Sequence, residues 1–364
     1  MIKKSLKLKI AISGFLILVL LFPQIVSAWA RHNLMTYAAI RNIPWLKKLP
    51  SCPVTENKYL DESLNPDFFP VYINSDPNQR LIVPPKFIYH DLNSDLRYGY
   101  QGGEIGEKCP PLQILADYSD EPDWGMDKNL NLALSQHLMG GSQGYRHMYY
   151  SAFTFHLPWM FLPQGVAPER LEHFYQMAKN AFANNDRYWG FRFLARSLHF
   201  IQDLAQPYHT AQLCFKFFNW RSPFTHAVET TKNYHFAYES LIARILELEA
   251  GKKLPADYHQ ILISTPAIKA ENIDDLVKSI VRQSRNLSAE AFGTSIAIFG
   301  EKMKAKEPVK LTTEDVHYIL NLPGSDVRRV AFERNARAAL SVVAGGTKGL
   351  LELANRDLPI GKGK

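Results

Sequence analysis

The sequence predicts a nearly all-helical protein whose helices are joined by long loops. Several stretches place apolar residues three and four positions apart, the spacing of a helix with one buried face. No strand pattern longer than a few residues is present, and residues 50–112 are rich in Pro, Gly, Asn and Asp, which favours loops. With 364 residues and 46% hydrophobic content, the chain is long enough to bury a sizeable core.

The N-terminal 28 residues have the pattern of a secretory signal peptide. Four lysines within the first nine residues precede an apolar run from Ile10 to Val26, and Val26-Ser27-Ala28 is a small-residue cleavage site. We therefore expect a signal peptide at 1–28, a single helical domain at 29–364, and a secreted or periplasmic mature protein. The alternative is an uncleaved membrane anchor, because a run of 17 residues is near the short limit of a membrane span.

Charge and cysteine content narrow the function classes. The formal net charge of +7 falls to +3 without the leader, and no Lys/Arg run of the kind that binds nucleic acid is present.

The chain has three cysteines. Cys52 and Cys109 flank one loop-rich region and are the expected disulfide pair in an oxidising compartment, so Cys214 is expected to remain unpaired.

Helical periodicity predicts the following elements. A first helix covers His32–Ile40, and Pro168 begins a second amphipathic helix that reaches residue 184. A strongly apolar helix follows at 191–205 and ends before Pro207, because proline interrupts the regular turn. Further helices are predicted at 228–250 and at roughly 271–299 and 326–354.

The helix at 191–205 carries the central candidate site. His199 and Asp203 are four residues apart and therefore share one face, where an imidazole and a carboxylate can bind one ion. The chain turn at Pro207 then brings His209 close to them. A single histidine on an apolar face is commonly a packing residue, but three metal-binding residues within eleven positions are less easily explained by packing alone.

Other stretches supply further candidates. An acidic cluster at 117–127 precedes His147, and its carboxylates can join the imidazole. His235 and Glu239 repeat the four-residue spacing, with His226 and Glu229 as the competing pair. Cleavage after Ala28 leaves Trp29 as the new N-terminus.

The order of these residues resembles that of the zinc-dependent phospholipase C family of secreted bacterial enzymes, whose fold fungal single-strand nucleases share. The segment from Leu198 to His209, LHFIQDLAQPYH, is the most specific part, and the resemblance covers most of residues 29–240. It implies an all-α, phospholipase C/nuclease-like fold with a cleft that holds three Zn²⁺ ions.

The resemblance also implies the roles of individual residues. Asp203 would bridge two zinc ions, and Trp29 would bind through its amine and carbonyl groups. Asp120 is the preferred aspartate of the acidic cluster and would also orient the attacking water, with Asp117 and Asp123 as alternatives. The full set of implied metal ligands is Trp29, His32, Asp120, His147, His199, Asp203, His209, His235 and Glu239.

The implied function is hydrolysis of phospholipids by metal-activated water, which needs no serine or cysteine nucleophile. The aromatic segments 155–163 and 214–224 would then rest against lipid as a peripheral membrane contact, and no stable nucleic-acid partner is expected. The alternatives are a single-strand nuclease or nucleotidase that uses the same three zinc ions, and a zinc-binding surface protein without turnover.

Overall fold

A computed structural model describes residues 31–59, 105–124, 126–127, 141–150, 165–211 and 224–360. The predicted all-α class is confirmed, because helices make up most of these residues and the strands among them are two residues long. In chain order the helices are α1 (His32–Ile40), α2 (Pro44–Lys47), α3 (Pro111–Asp117), α4 (Gly141–His147), α5 (Ala167–Ala183), α6 (Arg187–Ala205), α7 (Pro207–Thr210), α8 (Phe224–Ala250), α9 (Asp257–Ser264), α10 (Ile273–Phe299), α11 (Thr313–Leu320) and α12 (Val327–Asp357). Two 3₁₀ helices cover Tyr118–Trp124, here called the acidic helix, and Glu301–Lys304.

Helix α6 lies at the centre of the molecule and is buried from Tyr188 to Ala205. It begins at Arg187 because the Asp186 side chain accepts a hydrogen bond from the Trp189 backbone N–H at 3.3 Å, a standard N-cap. It ends at Ala205, because the backbone of the next residue, Gln206, is extended (φ −81°, ψ 120°), and Pro207 then begins the short helix α7. The predicted interruption at Pro207 is thereby confirmed.

Close helix packing surrounds α6 on two sides. A Cβ added to Gly190 would lie 2.7 Å from the Phe182 ring, so this glycine lets α5 approach α6 closely. A Cβ at Gly346 of α12 would lie 2.9 Å from Ile201 and 2.7 Å from Ile280, which joins α12 to both α6 and α10. Each large apolar side chain buried in this core contributes about 1.5–3 kcal/mol relative to an exposed one.

A short antiparallel ladder links two distant parts of the chain. Strand β1 (Cys52–Pro53) pairs with β2 (Lys108–Cys109), and Cys52 lies directly opposite Cys109. Both are free thiols in this structure, so the expected disulfide stays a prediction. The Thr55 carbonyl oxygen accepts a hydrogen bond from Trp189 Nε1 at 3.0 Å, which attaches the ladder to α6.

Helix positions agree with the sequence analysis to within a few residues. The first helix has the predicted bounds, whereas α10 begins two residues later than expected because Asn272 caps it through the Asp275 N–H at 2.9 Å. Among the described residues, no helix is both long and apolar enough to cross a bilayer. The predicted signal peptide and Trp29 lie outside the described residues, as do the aromatic segment 155–163 and residues 214–223 of the segment 214–224, including Cys214.

Candidate metal centre

Three clusters of histidine and carboxylate side chains converge around the end of α6. In each cluster, one ligand atom per residue lies within 4.8 Å of the others. The first cluster joins His32 of α1 and Asp123 of the acidic helix to His199. The second contains His147, His199 and Asp203, and the third contains His209, His235 and Glu239.

Asp203 connects all three clusters through its two carboxylate oxygens. Its Oδ2 lies 2.8 Å from His147 Nδ1 and 3.1 Å from His199 Nε2. Its Oδ1 lies 3.7 Å from His32 Nε2 and 3.4 Å from His209 Nδ1. The two oxygens therefore face different histidines, which is the arrangement of a bridging carboxylate.

Hydrogen bonds determine which imidazole nitrogen points into the centre. His199 Nδ1 donates to the Ser119 carbonyl oxygen at 2.7 Å, which leaves Nε2 with its lone pair. His32 Nδ1 donates to Gln202 Oε1 at 2.8 Å, and the Gln202 amide is itself oriented because it donates to the Thr36 hydroxyl at 2.7 Å. Orientation of ligating histidines by such outer hydrogen bonds is general in metal sites.

His147 faces the centre with its other nitrogen. Its Nε2 lies 3.6 Å from Asp127 Oδ2, so Nδ1 points towards Asp203. Burial by itself lowers the pKa of His147, but Asp203, Asp127 and Asp123 outweigh burial and raise this pKa to about 10. Without a metal, a proton on His147 compensates part of the buried negative charge.

Several buried polar atoms of the centre have no hydrogen-bond partner among the residues that the structure describes. They include His32 Nε2, Asp203 Oδ1 and His209 Nδ1, all on fully buried side chains. Buried polar atoms are normally paired, and a missing ion is a recognised reason for an exception. Imidazole nitrogens and carboxylate oxygens are the ligands that zinc accepts in proteins, so the residues present fit this metal.

The third cluster joins α7 to α8. His209 Nε2 lies 3.1 Å from His235 Nε2 and 3.6 Å from Glu239 Oε1, and His235 Nε2 lies 2.8 Å from the same oxygen. Burial lowers the pKa of His235 to about 3 and raises that of Glu239 to about 8. The competing pair does not form a cluster within the described residues: Glu229 Oε2 lies 3.5 Å from Lys232 Nζ instead.

Among the candidate aspartates of the acidic helix, the structure groups the alternative Asp123, and not the preferred Asp120, with the histidines. The preferred Asp120 accepts a hydrogen bond from the Asn33 backbone N–H at 3.1 Å and belongs to none of the clusters. Asp123 takes its place: its carboxylate oxygens lie 3.7 Å from His32 Nε2 and 3.9 Å from His199 Nε2. Asp117, the other alternative, accepts a hydrogen bond from Gln113 Nε2 at 3.2 Å.

Of the residues that support the ligands, the two glutamines were not predicted from the sequence, whereas Asp127 belongs to the acidic cluster 117–127. Gln202 orients His32, and Gln206 donates to Glu239 Oε1 at 2.8 Å. Asp127 is fully buried next to His147 and forms ion pairs with Arg146 and Arg170. The signal in the sequence is Gln202, a polar residue between Ile201 and Asp203 of α6, whereas Gln206 and Asp127 lie outside α6 and α4.

Comparisons with known proteins give structural neighbours only. No family model matches the chain, and no curated protein matches it. Among solved structures, the chain is similar to the alpha-toxin of Clostridium absonum, with 17% identity and a TM-score of 0.33 over 68% of this chain and 56% of that one. It is also similar to the alpha-toxin of Clostridium perfringens from avian strain SWCP, with 13% identity and a TM-score of 0.36 over 92% of this chain and 66% of that one. The chain thus spans less than two thirds of the length of either toxin.

Proposed function

We propose that this protein is a zinc-dependent phosphoric diester hydrolase that acts on phospholipids in the manner of a phospholipase C. The observation that carries the proposal is the convergence of the three clusters on Asp203 at the end of a buried helix. The resemblance in residue order from His32 to Glu239 supports the substrate class. Three zinc ions are part of the proposal: one at the third cluster and two at the first and second clusters together, where His199 would bind only one ion, because its Nε2 has a single lone pair.

The partners of each side chain assign its role. Asp203 would hold two cations, because its two oxygens face separate sets of histidines. Gln202 and the Ser119 carbonyl oxygen fix the His32 and His199 rings, so their Nε2 atoms are presented without rearrangement. When bound, zinc would activate water and polarise the phosphoryl oxygens of the diester.

Asp123 is the candidate for contact with the substrate. Its side chain is 18% exposed, whereas the His32, His199 and Asp203 side chains are fully buried. Solvent and substrate therefore reach the centre from the side of Asp123. Its carboxylate can orient the attacking water, the role first expected of Asp120.

Metal analysis combined with two substrate assays tests the proposal. We expect purified protein supplied with zinc to bind three equivalents and to release phosphorylated head group from phosphatidylcholine vesicles. Cleavage of single-stranded DNA without cleavage of the vesicles would reassign the centre to a nuclease. Zinc binding without turnover of either substrate would indicate a non-catalytic zinc protein, and fewer than two zinc equivalents would contradict the metal centre.

We also propose that the protein is exported and that residues 1–28 are removed. The proposal is supported by the order of the segment: lysines come first, an apolar run follows, and a small-residue cleavage site comes last. Intact-mass analysis of protein recovered outside the cytoplasm should give a chain that begins at Trp29. A full-length mass in the membrane fraction would indicate the uncleaved anchor instead.

A further inference from the structure

One face of α6 carries two arginines as well as two ligand candidates. Arg192, Arg196, His199 and Asp203 are spaced by four, three and four residues, so they form one stripe along the helix. The acidic helix Tyr118–Trp124 packs against this stripe. The face that holds the metal ligands therefore also holds the segment that delivers Asp123.

Glu121 of the acidic helix is bound by both arginines. Arg192 Nη2 donates to Glu121 Oε1 at 2.5 Å, and Arg196 Nε donates to Oε2 at 2.8 Å. Arg192 Nε lies 3.2 Å from each carboxylate oxygen. All three side chains are buried, and forked contacts between guanidinium and carboxylate groups are both strong and geometrically specific.

Glu121 lies between two other residues of the acidic helix that contact histidines of the candidate metal centre. Two residues before Glu121, the Ser119 carbonyl oxygen accepts a hydrogen bond from His199. Two residues after it, Asp123 faces His32 and His199. A shift of one residue along α6 would turn Asp123 away and bring another carboxylate of the segment forward.

We propose that Glu121, held by Arg192 and Arg196, is a positioning residue that sets the register of the acidic helix on α6. This register presents Asp123 rather than Asp120 to His32 and His199. The inference rests on the proposed metal centre. It adds that the contacts of Glu121 determine which aspartate of the acidic helix reaches that centre. The negative charge of Glu121 also compensates the positive charges of the two buried guanidinium groups, which would otherwise repel a cation at the neighbouring cluster.

The test compares Glu121→Gln with a matched control, Glu249→Gln, in the full protein. Glu249 is also a buried carboxylate that fixes a chain segment, because it accepts hydrogen bonds from the backbone N–H groups of Tyr258 and His259. It lies ten residues beyond Glu239 on α8, about 15 Å along the helix axis. The readout is zinc binding: the number of equivalents bound, and the dissociation constants from competition with a chelator.

We expect Glu121→Gln to weaken zinc binding roughly 10- to 100-fold at the cluster of His32, Asp123 and His199, the range seen for groups that orient ligands. The cluster of His209, His235 and Glu239 should keep its zinc, and Glu249→Gln should bind zinc as the wild type does. Unchanged zinc affinity and count in Glu121→Gln would overturn the inference. So would an equal loss of zinc in both variants.

A milder variant covers the case in which Glu121→Gln does not fold. Arg196→Lys keeps the positive charge but removes the Nε–H group that donates to Glu121 Oε2, so we expect a folded protein with weaker zinc binding at the same cluster. Wild-type zinc binding in Arg196→Lys would then overturn the inference. A wild-type protein that takes up no zinc would instead contradict the proposed function, and the inference would fall with it.

Discussion

Asp203 illustrates how a single side chain can define a site at the residue scale. Both of its oxygens are buried, and each faces a different pair of histidines. Burial alone would raise the pKa of Asp203, but His199 and His147 hold it well below its usual range. Asp203 therefore stays ionised, as a carboxylate ligand must.

The aspartates of the acidic helix give the first prediction. Asp123→Asn should remove at least one zinc equivalent and most of the hydrolytic activity, because zinc binds an anionic oxygen in preference to an amide oxygen. Asp120→Asn is the matched control, since Asp120 contacts the Asn33 backbone and not a cluster. Metal analysis and vesicle assays of both variants check the prediction, and a larger loss in Asp120→Asn would contradict the assignment.

The second prediction separates the two acid–histidine pairs of α8. Glu239→Gln should lower the bound zinc by about one equivalent. Glu229→Gln should leave the zinc count unchanged, because Glu229 lies near Lys232 and in no cluster. Zinc counts and circular dichroism of both proteins make the comparison, and the reverse order would favour His226 and Glu229 as the ligands.

At the element scale, interruptions of regular structure position the ligands as much as the helices do. The extended backbone at Gln206 separates α6 from α7 and brings His209 to Asp203 at 3.4 Å. The short ladder of β1 and β2 lies immediately before α3, which leads into the acidic helix. The segment that carries Asp123 is thus attached to α6 directly through Glu121, and the ladder that precedes α3 is attached to α6 through Trp189.

The thiols of the ladder give a prediction of pH dependence. Burial raises the pKa of Cys52 to about 11 and that of Cys109 to about 12. Because the folded state favours the neutral thiol, these groups stabilise the reduced protein fully below their ordinary pKa of 9.0, and this stabilisation is lost as the pH rises towards 11 and 12.

Alkylation kinetics test this prediction. At pH 8 the thiolate fraction of Cys52 in the reduced, folded protein should be about 100-fold below that in the unfolded chain, and iodoacetamide should react correspondingly slowly. Peptide mapping at several pH values measures each cysteine separately, with urea-unfolded protein as the reference. Equal rates in the folded and unfolded chains would show that the thiols are not buried.

At the scale of the whole molecule, the centre places ionisable groups where a globular protein normally has apolar ones. His32, His147, His199, Asp203 and His209 are all fully buried near the middle of the helical core. Burial of charge is unfavourable unless it is paired, and metal binding couples such groups to folding. Metal content should therefore control stability as well as activity.

Removal of metal gives the fourth prediction. A site that is saturated at a free zinc concentration 100 times its Kd contributes about 2.7 kcal/mol to the free energy of unfolding. Treatment with EDTA should therefore lower the Tm by several degrees, and added zinc should restore it, whereas magnesium should not because imidazole ligands suit zinc better. Scanning calorimetry measures the shift, and a Tm that is insensitive to EDTA would contradict a metal-coupled fold.

The sequence by itself determined the long helices and the local residue pairs of the candidate metal centre, but not the short helices α9 and α11. Apolar spacing located α6 and the other long helices, and the four-residue spacings of His199 with Asp203 and of His235 with Glu239 follow from the helical repeat alone. Pro207 marked the end of α6, after which the chain turns and brings His209 close to Asp203. These features depend on residues near one another in the chain, so local rules were sufficient.

Only the tertiary structure decided which candidates meet. Asp120 and Asp123 lie on one 3₁₀ helix, and the contacts of Glu121 with Arg192, more than sixty residues away, determine which of the two faces the histidines. His226 and His235 are nine residues apart on α8, so they point to opposite faces, and packing against α7 selects His235. The physical reason is the same in both cases: helical spacing fixes which residues share a face, but only contact with a distant segment determines which face is turned to the metal centre.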